Sequence, residues 1–134
     1  LLLAIGVNDS QYELTSGETK IPAAQTIQNL EKILSDTRDY VTKVVILGIA
    51  PVWDERIQPM AWKPTHGYSN SVIAEYNSAL QQFTELNGCV FIDMLDVYGD
   101  SVDACLPDGI HPNSHGHQLI FERVQHSLEE AGIL

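Results

Sequence analysis

Positive charge is scarce in this sequence. Seven Lys and Arg stand against eighteen Asp and Glu in 134 residues, a formal net charge of −11 at pH 7. A surface of that sign repels nucleic acid and anionic membrane, so neither is expected as a partner. It weakly disfavours an anionic polymer as substrate. Long apolar runs are missing as well. The longest, such as Val44–Ala50, fall far short of the ~20 residues that span a bilayer. Cysteine is limited to Cys89 and Cys105, which excludes a multi-bridge framework. Whether these two pair, and in which redox compartment, is left open by spacing alone. Repeats, linkers and low-complexity segments are absent. The apolar opening Leu1-Leu2-Leu3-Ala4-Ile5 lacks the basic leader and small-residue cleavage site of a signal peptide. It reads instead as a buried strand, with more sequence expected upstream.

What is present is one domain's worth of chain, with 44% hydrophobic residues, ordinary for a globular fold. Three strand–helix units follow one another. The first strand is read as Leu1–Val7. Its helix starts near Pro22, a favoured first-turn residue, and puts Ala23, Ile27, Leu30 and Leu34 on one face. The second strand, Val44–Ile49, is an unbroken branched run of the kind buried on both faces of a parallel sheet, and Pro51 ends it. A loop rich in Pro, Trp and charge runs from Val52 to Gly67. The second helix is read as Asn70 to Asn87, with Ile73, Tyr76, Leu80 and Phe83 inward and Gly88 as its stop. Cys89–Asp93 is the third strand. The last helix is Ser114 to Ala131, with Ile120, Val124 and Leu128 inward. Such alternation predicts an α/β fold on a parallel sheet. Three strands make a thin sheet, and the first would be a long apolar open edge, which suggests part of a larger one.

Ligands of open α/β sheets sit at the carboxyl ends of the strands. Topology would gather there Gly6-Val7-Asn8-Asp9, the loop with Trp53, and Asp108-Gly109-Ile110-His111-Pro112-Asn113. A histidine serves as general base when a carboxylate holds its far nitrogen. Gly109 supplies the turn that folds Asp108 back onto His111, and Pro112 keeps the histidine extended. Asn8, at a strand end, can donate its amide to a developing oxyanion. Gly6 would let the backbone turn toward the site, and Asp9 would brace the loop by bonding backbone N–H groups. Taken singly, D-x-x-H is an ordinary capped turn beside a surface histidine, and G-x-N-D an ordinary Asx-turn.

Together, Gly6-x-Asn8-Asp9 after a strand and Asp108-x-x-His111-Pro112 before the last helix resemble the SGNH hydrolase superfamily, the GDSL-type esterases and lipases. The resemblance covers essentially the whole chain. It implies a flavodoxin-like three-layer α/β/α sandwich with strand order 2-1-3-4-5, present here as its last three units: residues 1–134 would be the C-terminal portion of a single hydrolase domain. It implies a serine ester hydrolase acting on a small-molecule ester without metal or organic cofactor. His111 would be the base, Asp108 its orienting acid, and Asn8 an oxyanion donor, with Gly6 and Trp53 on the substrate side. Two family motifs are missing: a G-D-S nucleophile after the first strand of the domain, and a glycine after the second. Gly99-Asp100-Ser101 reproduces the tripeptide but in the loop before the Asp–His turn, downstream of G-x-N-D. The nucleophile is therefore expected upstream of Leu1, the chain alone is expected to be inactive, and the missing segment or a second copy is expected to pack on the first strand. The other reading is a catalytically silent flavodoxin-like module used for binding or assembly.

The remaining features are read more plainly. His111, His115 and His117 have partial metal-site spacing, but Pro112 and Gly116 interrupt it and no metal is expected. Trp53 and Trp62, with Asp54, Glu55 and Arg56 between them, belong to a loop of the kind that either walls a substrate site or packs as a surface lid. His66 of that loop has nothing to place it. Asp93 reads as a loop brace. Asn8-Asp9-Ser10 matches a glycosylation sequon that an oxyanion donor could not carry.

Overall fold

The branched run after Lys43 forms the centre of the sheet. In the computed structural model, which describes residues 1–134, strand β1 is Leu2–Leu3, β2 is Tyr12–Glu13 and helix α1 is Ala23–Thr37. Strand β3 is Val45–Leu47, a short helix α2 is Asp54–Ile57, β4 is His66–Gly67 and α3 is Asn70–Asn87. Strand β5 is Val90–Ile92, α4 is Val102–Cys105 and α5 is Ser114–Glu130. The main sheet has order β1-β3-β5 and both ladders are parallel, with Leu2 opposite Val45 and Val45 opposite Val90.

Alternation along β3 splits the core in two. Ile46 faces one side, where it packs with Leu30 of α1 and with Ile73, Tyr76, Leu80 and Phe83 of α3. Val45 and Leu47 face the other, against Ile92, Met94, Leu106 and the half-buried Ile120, Val124 and Leu128 of α5. Both faces are thus covered, and a fully buried side chain such as Ile46 contributes about 1.5–3 kcal/mol by leaving water. The fold is the expected α/β one, with a parallel sheet between helical layers. No helix is long and apolar enough to cross a membrane.

The strands are shorter than read from sequence. Leu1–Val7 keeps only two ladder residues, because Gly6 turns the chain at φ +107. At the end of β3, two asparagines of α3 replace the ladder. Asn77 donates to the Ile49 carbonyl at 2.9 Å and accepts its amide at 2.7 Å. Asn70 does the same for Val52, at 2.9 Å each way. A second, two-stranded antiparallel sheet, β2 with β4, was not expected. It ties the loop after β1 to the loop after β3.

Candidate active site

The carboxyl ends of β1 and β3 open onto an apolar cleft of about 200 Å³, whose walls include Val7, Ile49, Val52, Tyr98, Ile110 and Pro112. Asn8 follows the first of these, and His111 stands between the last two. Both residues are exposed, and neither is itself part of the cleft wall.

The Asp108–His111 turn is built around one carboxylate. Its Oδ1 accepts the amide of Ile110 at 3.0 Å and of His111 at 2.8 Å. Its Oδ2 lies 2.6 Å from Nδ1 of His111. Burial pushes the Asp108 carboxyl upward, but the His111 amide and ring, the Ile110 amide and the charge of the imidazolium outweigh it and hold the group at about 2. An ionised carboxylate only accepts. Nδ1 of His111 is therefore the donor, and in the neutral ring Nε2 is left as the acceptor.

The turn is held from behind. Gly109 sits at φ +97, and a Cβ there would lie 3.0 Å from Cβ of Ile57 and 3.2 Å from Cβ of Arg56, so both the backbone angle and the space demand glycine. Its carbonyl accepts the Trp53 amide at 2.9 Å, and Nε of Arg56 donates to the Pro107 carbonyl at 3.1 Å. Asn113 caps α5 by accepting the Gly116 amide at 3.0 Å, and it donates to the Ala104 carbonyl at 2.7 Å. Gly116 is buried against Pro112, where a Cβ would come within 2.9 Å of Cβ of the proline.

Asn8 sits on a tight turn. The amides of Asp9 and Ser10 both donate to the Gly6 carbonyl at 3.0 Å, and the Ser10 hydroxyl donates to the Val7 carbonyl at 2.8 Å. Asp9 braces this turn differently from the expectation. Its carboxylate accepts the hydroxyl of the buried Thr26 at 2.8 Å, and its carbonyl accepts from Tyr76, whose hydroxyl also donates to the Ile21 carbonyl. The backbone amides are already satisfied by Gly6, so the carboxylate is free for α1.

Trp53 is not part of the cleft wall; it borders a shallow groove with Asp54, Asn70 and Asp103, and the Arg56 guanidinium lies 5.8 Å over its ring. The ring paired with the His111 imidazole is that of Trp62, centroid to centroid 6.1 Å. Sequence gave no reason to prefer one indole over the other. The Arg56 and Thr26 contacts were also missed, since each runs to a carbonyl or carboxylate remote in sequence. Ser101 is exposed and opens α4; its neighbours Asp100 and Val102 border the Trp53 groove. His115 and His117 are exposed on the first turn of α5, and both cysteines are free.

Comparison with known proteins bears on the family and the fold. The model of the GDSL-like lipase/acylhydrolase family matches residues 1–119. No curated protein matches the sequence. Among solved structures, a lipase/acylhydrolase from Enterococcus faecalis superposes with TM-score 0.73 at 17% identity, over 97% of this chain and 60% of that one. An acetylxylan esterase from Geobacillus stearothermophilus gives TM-score 0.66 at 18% identity, over 95% and 57%. A GDSL-like lipase from Bacteroides thetaiotaomicron gives 0.70 at 16%, over 97% and 62%. The chain spans about three-fifths of the length of these structures.

Proposed function

This chain belongs to the GDSL-like lipase/acylhydrolase family, and from that premise we propose that it carries the acid, the base and one oxyanion donor of a serine ester hydrolase whose nucleophile lies upstream of Leu1. The observation that carries the reading is the 2.6 Å contact between Asp108 and Nδ1 of His111, next in the chain to the cleft-wall residues Ile110 and Pro112.

The chemistry follows from the tautomer. With Nδ1–H held by Asp108, Nε2 takes the proton of the serine hydroxyl as its oxygen adds to the ester carbonyl. The carbonyl oxygen becomes an oxyanion, to which the Asn8 amide donates. Nε2–H then passes its proton to the alkoxide as the C–O bond breaks, leaving an acyl-serine. Water then adds to the acyl carbon as Nε2 takes its proton, and Nε2–H returns that proton to the serine oxygen as the acyl C–O bond breaks and the acid leaves. Asp108 stays ionised and stabilises the imidazolium throughout. Gly6 serves by presenting Asn8, and Trp53 by holding the Asp–His turn through its amide.

The chain's three-fifths share of its structural relatives is consistent with a nucleophile outside it. The open edge of β1, where Leu2 is 50% exposed, is the surface the upstream segment or a second copy would cover. The deciding experiment is covalent labelling of the complete protein with a serine-directed phosphonate and peptide mapping. The label is expected on a serine upstream of Leu1, and the 134-residue chain alone is expected to remain unlabelled and inactive. A label on Ser101 would overturn the assignment. Asn8→Ala in the complete protein is expected to lower kcat by about 10²–10³, or ~3 kcal/mol of transition-state stabilisation. Steady-state rates with KM nearly unchanged would bear this out, and a loss under tenfold would exclude the oxyanion role.

A further inference from the structure

The turn that carries Asn8 is tied to two helices through one residue, Asp9. On one side, the Asp9 carboxylate accepts the Thr26 hydroxyl at 2.8 Å. Thr26 is 1% exposed and lies in the first turn of α1. On the other side, the Asp9 carbonyl accepts the Ile21 amide at 3.2 Å and the Tyr76 hydroxyl at 3.3 Å. Tyr76 is 2% exposed, belongs to α3 and donates to the Ile21 carbonyl as well. Burial pushes the Tyr76 phenol upward, so it stays protonated and remains a donor.

Packing alone does not call for these hydroxyls. Valine and phenylalanine fill nearly the same volumes and need no partner when buried. What the polar groups supply is geometry, because a satisfied buried network admits one arrangement of its members. That geometry is passed to the neighbouring residue. Asn8 precedes Asp9 and is exposed, so the backbone of the turn, rather than packing, aims its side chain. The amides of Asp9 and Ser10 close the turn locally on the Gly6 carbonyl. The Thr26 and Tyr76 hydroxyls join it to α1 and α3. The precision matters for chemistry. An oxyanion donor works within ~2.7–3.1 Å of the developing charge, and a displacement of about 1 Å costs on the order of 10²-fold in rate.

We propose that Thr26 and Tyr76 are positioning residues, whose hydroxyls act through Asp9 to hold the Asn8 amide where the oxyanion develops. The proposal rests on the hydrolase reading above. Its test is a double-mutant cycle on the complete protein, read by steady-state hydrolysis of p-nitrophenyl acetate and by thermal unfolding. Thr26→Val is expected to lower kcat about ten-fold or more with KM nearly unchanged. Thr26→Ser, which keeps the hydroxyl, is expected to hold kcat near that of the wild type. Tyr76→Phe removes only the phenol oxygen and is expected to lower kcat in the same way, which keeps the test decisive should Thr26→Val fail to fold. In an Asn8→Ala background neither loss is expected to recur, because the group being positioned is gone. Unchanged kcat in both variants, with or without a lowered melting temperature, overturns the proposal and leaves the hydrolase intact. So does a loss that Thr26→Ser shares, or one that persists in full in the Asn8→Ala background. Wild-type protein inert toward the ester overturns the hydrolase reading, and Asn8→Ala losing less than tenfold removes the oxyanion role of Asn8; either result takes this proposal with it.

Discussion

His111→Ala in the complete protein is expected to lower kcat by four or more orders of magnitude while the fold survives. The argument separates what the ring does for chemistry from what it does for stability. Its side chain is 72% exposed and fills no core cavity, so truncation removes little packing; exposed substitutions of this kind cost within about 0.5 kcal/mol. Chemically, no other group is positioned to replace it. The other histidine of the neighbouring loop, His66, bonds the Thr65 hydroxyl at 2.8 Å through Nδ1, and His115 and His117 lie on α5 beyond Asn113. Losing the base of a triad leaves only the oxyanion donors and substrate binding, which is why such losses reach several orders of magnitude. The measurement is single-turnover hydrolysis of a chromogenic ester, with thermal unfolding as the control. A variant retaining a tenth of wild-type kcat with an unchanged melting temperature would remove His111 from the mechanism.

The sequence was most legible where local rules and tertiary packing agree. Helix α3 begins and ends where the pattern set it, because Ser69 caps it by accepting the Val72 amide and Gly88 closes it in the left-handed region at φ +65. The inward stripe Ile73, Tyr76, Leu80 and Phe83 is buried as read. The Asp108–His111 contact was legible for the same reason: a carboxylate, a glycine and a pre-proline histidine can meet within one turn without outside help. Strand ends were not legible. Hydrophobicity continues through Ile49, but the ladder stops at Leu47 because Asn77, one helix away, takes the Ile49 backbone. An asparagine in a helix carries no mark that says so. The β2–β4 pair joins two-residue strands more than fifty residues apart, too short for any period to register. The clamp on the Asp108–His111 turn consists of backbone carbonyls meeting Trp53 and Arg56, and carbonyls are the same at every position of a sequence.

Asp108→Asn separates tautomer control from simple presence of the ring. The amide oxygen of the variant can still accept the Ile110 and His111 amides, so the turn is expected to keep its shape. Its NH2 then faces Nδ1 of His111, and a donor facing Nδ1 makes that nitrogen the acceptor. The ring proton moves to Nε2, where it blocks the nitrogen that must take the serine proton. A loss of about 10⁴ in kcat is expected on that account, with KM little affected. The pH dependence carries its own sign. The folded Asp108 carboxyl titrates at about 2, below its ordinary 3.8, so its contribution to stability is present above about pH 4 and is lost as pH falls toward 2. The part of the stability difference between wild type and Asp108→Asn that comes from the carboxylate should therefore shrink below pH 4 and close toward pH 2. It should also be small, because the side chain is 40% exposed and water screens the pair. Any acid limb of kcat between pH 4 and 8 then belongs to a group other than Asp108. Chemical unfolding from pH 2 to 8, paired with rate profiles, reads both. A stability gap that widens as pH falls through 4, or a variant with near-wild-type kcat, would mean that this carboxylate neither grips the ring in its charged form nor sets its tautomer.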